Sequence, residues 1–215
     1  MGPLLQLATL REYTKDINIK KVLWFYYEGN DLTINLSNEL ANKKLRKYFL
    51  EDNFTQKLKL NQNKINRIAK QSIKVQEKQY SETSTSVILI KDILKLKNLR
   101  DPRKNITNKK IPFEEFENIL KKTKLYLEKK NAELYFIYLP EYQRYKVKKY
   151  DNSNFNKVKK IINKLNIPFI DIKTDIFDEE NFKYFPKLDQ GEYLKHYNVL
   201  GYRKIAEYIY KNTNN

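Results

Sequence analysis

Three mostly apolar runs, each closed by a turn signal or followed by helical spacing, constrain the fold of this chain more than any other feature. The first is the six-residue run over 22–27, which lies just before Gly29. The others cover 134–139, closed by Pro140, and 169–172. Runs of this length without polar alternation are typical of strands in a parallel sheet. We therefore expect the first run to be a strand buried on both faces.

Amphipathic helices are predicted between and around these runs. Pro3 at a first helical position predicts a short helix over about 3–15. Apolar residues at helical spacing predict further helices around 41–49, from Pro112 to about 127, over 155–165 and over 202–209. Strands that alternate with helices imply crossover connections and a mostly parallel sheet.

One region differs in composition from the rest of what we expect to be a single domain over 1–215. Residues of about 52–110 are rich in Lys, Asn and Gln and poor in glycine. Helical spacing predicts one helix around 65–73 and another over 87–99. We therefore interpret 52–110 as a helical insert within the α/β domain.

The charge balance allows two interpretations. The formal net charge is +17, with 43 basic against 26 acidic residues, which indicates a nucleic-acid or anionic-membrane partner. However, Lys greatly outnumbers Arg and is spread along the whole chain, as AT-rich coding favours, and Arg is the better bidentate phosphate ligand. We favour the second interpretation and expect no nucleic-acid partner. No apolar stretch is long enough for a membrane-spanning helix.

Composition also excludes some chemistry. Because the chain has no cysteine, disulfides, thiolate metal sites and a Cys nucleophile are excluded. With four glycines and no Gly-rich phosphate motif, a nucleotide-binding loop is not expected either. We predict no metal and no cofactor.

The first candidate site follows the first apolar run. Gly29-Asn30-Asp31 stands at the predicted carboxyl end of a strand, where ligands bind in open α/β sheets. Gly29 permits a sharp turn or the close approach of a substrate. The NH2 group of Asn30 is a donor that can face a developing oxyanion. The same triplet is also typical of an Asx turn with no catalytic role.

The second candidate is His196, the only histidine in the chain. An imidazole is the side chain best suited to general-base catalysis near neutral pH. The alternative is a partly buried histidine near a helix start, because Asn198 is well placed as the N-cap of the following helix.

Together these two strings resemble two sequence blocks of the SGNH/GDSL hydrolase family. The matching stretches are 23–32 and 196–202, in family order. The resemblance implies a three-layer α/β/α fold of the flavodoxin-like, SGNH type. It also implies that Asn30 is an oxyanion donor and His196 the general base. Gly2, in Gly2-Pro3-Leu4-Leu5, looks like the family glycine whose backbone N–H is another oxyanion donor.

The chain departs from the family pattern in three places. Gly29 directly precedes Asn30, without the usual residue between them. Tyr193 stands where the family has the acid that orients the histidine. Glu192 and Asp189 are the nearby candidates for that role, and a backbone carbonyl is the alternative.

The third departure concerns the nucleophile. No Gly-Asp-Ser occurs, and none of the six serines follows a predicted strand in a sharp turn to a helix. Because the chain begins where the second family block is expected, the resemblance implies that the first strand of the sheet and the catalytic Ser lie upstream. Loss of a triad nucleophile removes nearly all covalent catalysis.

Three hypotheses follow for function. The leading one is an SGNH/GDSL-type serine ester hydrolase for acyl or acetyl esters of a small substrate, truncated in this chain and inactive alone. The second is a non-catalytic SGNH-like module that binds a carbohydrate or a protein. The third is a basic nucleic-acid-binding protein that uses the 52–110 region. The sequence indicates neither a compartment nor an oligomeric state.

Overall fold

A computed structural model describes residues 1–82, 110–177, 181–187 and 196–214, with side chains at all of these except 76–82 and 181–182. Over these residues the protein is mixed α/β, with about 59% helix and a small open sheet of three parallel strands.

Helices and strands alternate along the described chain, as predicted. The strands are β1 (Lys21–Tyr27), β2 (Glu133–Leu139) and β3 (Phe169–Asp171). The helices are α1 (Pro3–Tyr13), α2 (Leu36–Ala41), α3 (Lys43–Leu50), α4 (Gln62–Glu82), α5 (Phe113–Glu128), α6 (Tyr142–Lys146), α7 (Ser153–Lys164), α8 (Ile172–Asp175) and α9 (Val199–Thr213). A π-helical turn (Asp31–Asn35) follows β1, and a 3₁₀ turn (Asn181–Tyr184) precedes α9.

The sheet is parallel, with strand order β1-β2-β3. Trp24 pairs with Phe136, which in turn pairs with Phe169. In a parallel sheet every strand ends at the same edge. The segments after β1, β2 and β3 therefore meet at one rim of the molecule.

The two faces of the sheet pack into two separate hydrophobic clusters. Alternate residues of β1 and β2, such as Trp24 and Phe136, pack with α1, α5 and α7. Their neighbours Ile137 and Leu139 pack with Ile205 of α9 on the other face. This is the period-two alternation of a strand. Full burial of one such large apolar side chain contributes about 1.5–3 kcal/mol to folding.

The expectation that β1 is buried on both faces is wrong for one of them. Trp24 and Tyr26 are buried, but the side chain of Phe25 is 42% exposed. The physical reason is position: β1 is at the edge of the described sheet, so fewer elements cover it than cover β2. The Gln6 Nε2 donates to the Phe25 carbonyl at 2.9 Å, which satisfies one backbone group of this edge.

The predicted insert is described only in part. α4 covers the helix that we expected around 65–73. Its side chains from 62 to 75 are almost all exposed. The second helix of the insert, over 87–99, lies outside the described residues.

Candidate active site

The turn after β1 is built around a buried carboxylate. The Asp31 side chain is only 4% exposed, and its Oδ2 accepts a hydrogen bond from the Tyr27 backbone N–H at 2.8 Å. Its Oδ1 accepts from Asn35 Nδ2 at 2.9 Å. Asp31 thus accepts from a backbone N–H four residues before it, whereas the Asx turn that we considered for this triplet uses the N–H two residues after the acceptor.

Asn30 is held at the start of the π-helical turn by its own oxygen atoms. Its backbone carbonyl accepts from the N–H groups of Ile34 and Asn35, at 3.0 and 2.9 Å. Its side-chain Oδ1 accepts from Asn35 Nδ2 at 3.2 Å. Because the oxygen end of the carboxamide faces Asn35, the NH2 end points the other way. That end is the donor an oxyanion site uses.

His196 reaches the same rim from the other end of the chain. Its exposed ring lies against the ring of Tyr27, with the two centroids 4.6 Å apart and the planes inclined at 35°. Tyr27 is the last residue of β1. The structure thus places the single imidazole beside the strand whose carboxyl end carries Asn30 and Asp31.

Burial, hydrogen bonds and nearby charges act on the pKa of the Asp31 carboxylate. Burial raises the pKa of Asp31, and the hydrogen bonds from Tyr27 and Asn35 act in the opposite direction. A positive charge on His196 adds to this lowering. The charged amino terminus acts in the same direction. Glu192 and Asp189, the acids we expected to orient His196, lie outside the described residues.

The start of α9 fixes the chain just after His196. Asn198 is the N-cap, as predicted, and its Oδ1 accepts from the Gly201 N–H at 2.9 Å. Its Nδ2 donates to the Lys183 carbonyl at 2.7 Å. Gly201 packs so closely that a Cβ there would lie 2.9 Å from the Tyr184 carbonyl oxygen. Only glycine permits this approach, which anchors α9 to the 3₁₀ turn.

Gly2 lies at the same rim, at the N-terminus of α1. The carboxylate of Glu39 occupies the helix start, where its Oε2 accepts from the Leu4 N–H at 2.9 Å. A Cβ on Gly2 would lie 2.5 Å from Glu39 Oε1 and 2.7 Å from Asn35 Cβ. Asn35 therefore touches Gly2 and also hydrogen-bonds Asn30 and Asp31.

The Gly2 N–H, which the family resemblance implies as an oxyanion donor, faces the Glu39 carboxylate together with the N–H groups of Leu4 and Leu5. Burial raises the pKa of Glu39, while the backbone N–H groups of Leu4, Leu5 and Gly2 act to lower it. Such a helix N-terminus favours a negatively charged oxygen. The geometry can thus stabilise an anion here, but a substrate would have to displace Glu39 to reach the Gly2 N–H.

Sequence reasoning assigned no role to Glu28, which forms a buried ion pair at this rim. Its Oε1 lies 2.6 Å from Arg144 Nη2, and its Oε2 accepts from Arg144 Nε at 2.8 Å. The two side chains are 7% and 5% exposed. Arg144 also stacks on the rings of Tyr150 and Phe155, at 4.9 and 4.5 Å from their centroids.

The pair ties the segment after β2 to the segment after β1. The Glu141 N–H also donates to Glu28 Oε2, at 3.2 Å. The Glu28 carboxylate therefore binds a backbone group as well as a side chain of the segment after β2. The sequence does contain a pattern that could have predicted this ion pair: an acid stands directly after one predicted strand, and a base stands shortly after the next. Parallel strands bring such positions to the same edge.

The described serine hydroxyls offer no nucleophile. Ser37 donates to the carbonyl of Thr33 in the preceding π-helical turn, and Ser72 donates to the carbonyl of Ile68 within α4. Ser153 donates to Asp151 at the start of α7. These are capping and helix-surface roles.

Comparisons with protein-family models, with curated proteins and with solved structures found no match. No helix within the described residues has the length and apolar composition needed to cross a bilayer. In the same parts of the chain, no group of three or more His, Cys, Asp or Glu side chains is arranged to hold a metal ion.

Proposed function

We propose that this chain carries the general base and the oxyanion donors of an SGNH/GDSL-type serine ester hydrolase that acts on acyl or acetyl esters. The observation that carries the proposal is the contact between the rings of His196 and Tyr27 at the carboxyl end of β1. It brings the only imidazole of the chain to the rim that holds Asn30.

The roles follow from the chemistry of each group. His196 would take the proton of an attacking serine hydroxyl and return it to the leaving alcohol. The Asn30 NH2, with the Gly2 N–H after displacement of Glu39, would donate to the tetrahedral oxyanion. Helices packed on both faces of a parallel sheet support the three-layer arrangement that this family has.

The proposal needs a serine nucleophile, and the sequence contains no Gly-Asp-Ser. We therefore expect this chain alone to hydrolyse esters no faster than free imidazole does. The informative sample is this chain together with a segment or protein that supplies the serine, assayed with p-nitrophenyl acetate. We expect turnover there, with His196→Ala reducing kcat by about 10³-fold or more.

Asn30→Ala should lower kcat by about 10²-fold, as for other oxyanion donors. Asn156→Ala removes an exposed amide from α7 and should leave kcat unchanged. Unchanged turnover in His196→Ala would remove the imidazole from the mechanism. Absence of turnover in the sample that contains the serine, together with binding of a carbohydrate or a protein, would favour the non-catalytic alternative.

The juxtaposition itself can be tested on this chain without activity. Because the chain has one histidine, the His196 ring gives a single pair of proton resonances. Tyr27→Leu should shift them through loss of the adjacent ring current. Tyr135→Leu, in β2 on the same face of the sheet as Tyr27, is the control and should leave these resonances unshifted. Equal spectra for both variants would place His196 away from Tyr27.

A further inference from the structure

A second candidate site lies at the opposite, amino end of the sheet. There the last turn of α1, the segment over 52–60 and the second half of α5 enclose a groove of about 950 Å³. α1 begins beside the candidate active site at Gly2, is roughly 16 Å long, and reaches the groove only with its last turn. The groove is therefore separate from the rim that carries Asn30.

The walls of the groove are strongly basic. One arginine and six lysines line it, against three acids. Asp52 pairs with Lys122, and Asp16 lies 3.7 Å from Lys59. Glu12 is buried and engaged in internal hydrogen bonds. Four exposed lysines of the groove form no ion pair with the described residues: Lys15, Lys57, Lys121 and Lys129.

The floor of the groove is fixed by buried groups. The Glu12 carboxylate accepts from the backbone N–H groups of Gln56 and Leu58, at 2.6 and 2.7 Å. The Arg11 Nη1 donates to the carbonyls of Tyr48 and Glu51, at 2.9 and 3.2 Å. The segment that carries Lys57 and Lys59 is thus held in place before any ligand arrives, which lowers the entropy lost on binding.

Apolar and aromatic surface lies between the charges. Phe54 and Tyr126 are partly exposed in the groove. Leu60 and Leu125 are 82% and 49% exposed beside them. A site for a simple anion needs no such surface. Cations interspersed with aromatic rings are typical of sites for single-stranded nucleic acid, in which bases stack on the rings.

The positive surface continues beyond the groove along α4. Gln62, the first residue of α4, accepts a hydrogen bond from the Tyr13 hydroxyl of α1 at 3.0 Å. From 62 to 75 the helix contains no acidic residue, over roughly 20 Å. Four exposed basic side chains follow one another there: Lys64, Arg67, Lys70 and Lys74. A track of this length fits a chain of phosphates better than a small anion.

We propose that this groove and the start of α4 bind single-stranded nucleic acid. The backbone phosphates would contact Lys57, Lys121 and Lys129, and bases would stack on Phe54 and Tyr126. This inference does not rest on the proposed esterase function, since none of these residues lies at the rim of Asn30 and His196.

The test is the binding of a fluorescein-labelled 12-mer of thymidylate, and of uridylate, measured by fluorescence anisotropy over a series of salt concentrations. We expect Kd to increase with salt concentration. The double variant Lys121→Glu/Lys129→Glu should increase Kd by about tenfold or more. Loss of two phosphate contacts should also make the slope of log K against log salt shallower by about 1.4.

The matched control is Lys160→Glu/Lys211→Glu, which changes the net charge equally on exposed positions of α7 and α9. It should weaken binding much less than the groove variant. An equal effect of both variants would show attraction to overall charge only and would overturn the proposal. Circular dichroism would verify that both variants fold.

Two further measurements distinguish recognition of stacked bases from attraction to negative charge alone. Phe54→Leu keeps an apolar side chain but removes the stacking surface, so we expect binding to weaken by about tenfold. A duplex of the same length and inorganic polyphosphate should compete poorly with the labelled strand. Equal competition by either, or no effect of Phe54→Leu, would show a groove that recognises charge without bases, against the proposal.

Discussion

The two ends of the sheet each contain a buried carboxylate, and the two are stabilised in different ways. At the amino end, Glu12 accepts hydrogen bonds from neutral donors: the Tyr48 hydroxyl at 2.5 Å, the Thr55 hydroxyl at 2.8 Å and two backbone N–H groups. At the carboxyl end, Glu28 pairs with the guanidinium of Arg144. One carboxylate organises a loop, and the other joins two segments through charge.

This difference predicts how much stability is lost when each carboxylate is separated from its partners. Neutral donors that lose their acceptor can turn to water when a surface loop moves. A charge that loses its partner stays buried unless the surrounding structure opens. Breaking an ion pair of this kind is therefore more destabilising than removing the acceptor of several neutral hydrogen bonds.

The largest effect should come from Arg144→Met, which leaves the Glu28 carboxylate buried without its partner. We expect the free energy of unfolding to fall by about 3–5 kcal/mol, measured by urea unfolding followed by circular dichroism. Arg203→Met on the exposed side of α9 should change it by less than about 0.5 kcal/mol.

A double variant sharpens this prediction. Adding Glu28→Gln to Arg144→Met removes the buried charge, so the double variant should be more stable than Arg144→Met alone. If Arg144→Met unfolded at the same urea concentration as Arg203→Met, the charge pair would not hold the two segments together.

A smaller effect is expected for Glu12→Ala. It leaves the hydroxyl and backbone donors of the segment from Thr55 to Leu58 without their acceptor. We expect a loss of about 2–3 kcal/mol in the free energy of unfolding, by the same measurement. Glu207→Ala, an exposed carboxylate on α9, is the control. A loss in Glu12→Ala larger than that in Arg144→Met would reverse the comparison between the two ends.

The smallest effect, and the most specific, is a difference in pH dependence between Glu12 and Asp31. Burial raises the pKa of Glu12, but its hydrogen bonds outweigh burial and hold that pKa below its ordinary value. Its carboxylate therefore stabilises the fold at neutral pH. That contribution is fully present above the ordinary pKa of a glutamate and is lost as the pH falls through the lowered pKa.

Asp31 should behave in the opposite way. Burial holds its pKa above the ordinary value, so ionised Asp31 destabilises the fold at neutral pH, and this cost disappears as the pH falls toward about 4. In urea unfolding from pH 7 to pH 3.5, the stability advantage of the wild type should shrink over Glu12→Gln and grow over Asp31→Asn. Slopes of the same sign for both variants would contradict these directions.

Local signals in the sequence predicted the elements and the ends of several of them. The Asn198 cap, the turn at Gly29 and the three strands all follow from residues within a few positions of each other. Contacts between residues far apart in the sequence were predicted less completely than these local features. The partners of Glu12 and Glu28 lie more than 30 positions away, and no periodicity identifies such pairs.

In the candidate site, too, local features were predicted from the sequence and long-range contacts were not. The sequence indicated Asn30 and His196, because each stands next to the end or start of an element. It did not indicate Glu39 on the N–H groups of α1, nor Asn35 between Gly2 and Asp31. Sequence spacing also did not indicate that six of the scattered lysines line one groove. Glu192, Asp189 and the helix over 87–99 stay predictions.

The position of Trp24 has a spectroscopic consequence. It is the only tryptophan of the chain, it is 2% exposed, and its indole N–H has no hydrogen-bond partner among the described residues. Its emission should therefore be blue-shifted and resist quenching by acrylamide. Tyr26 lies two residues along the same strand face and packs in the same cluster. Excited tyrosines of this core should transfer energy to the indole, so one emission band follows the integrity of the sheet.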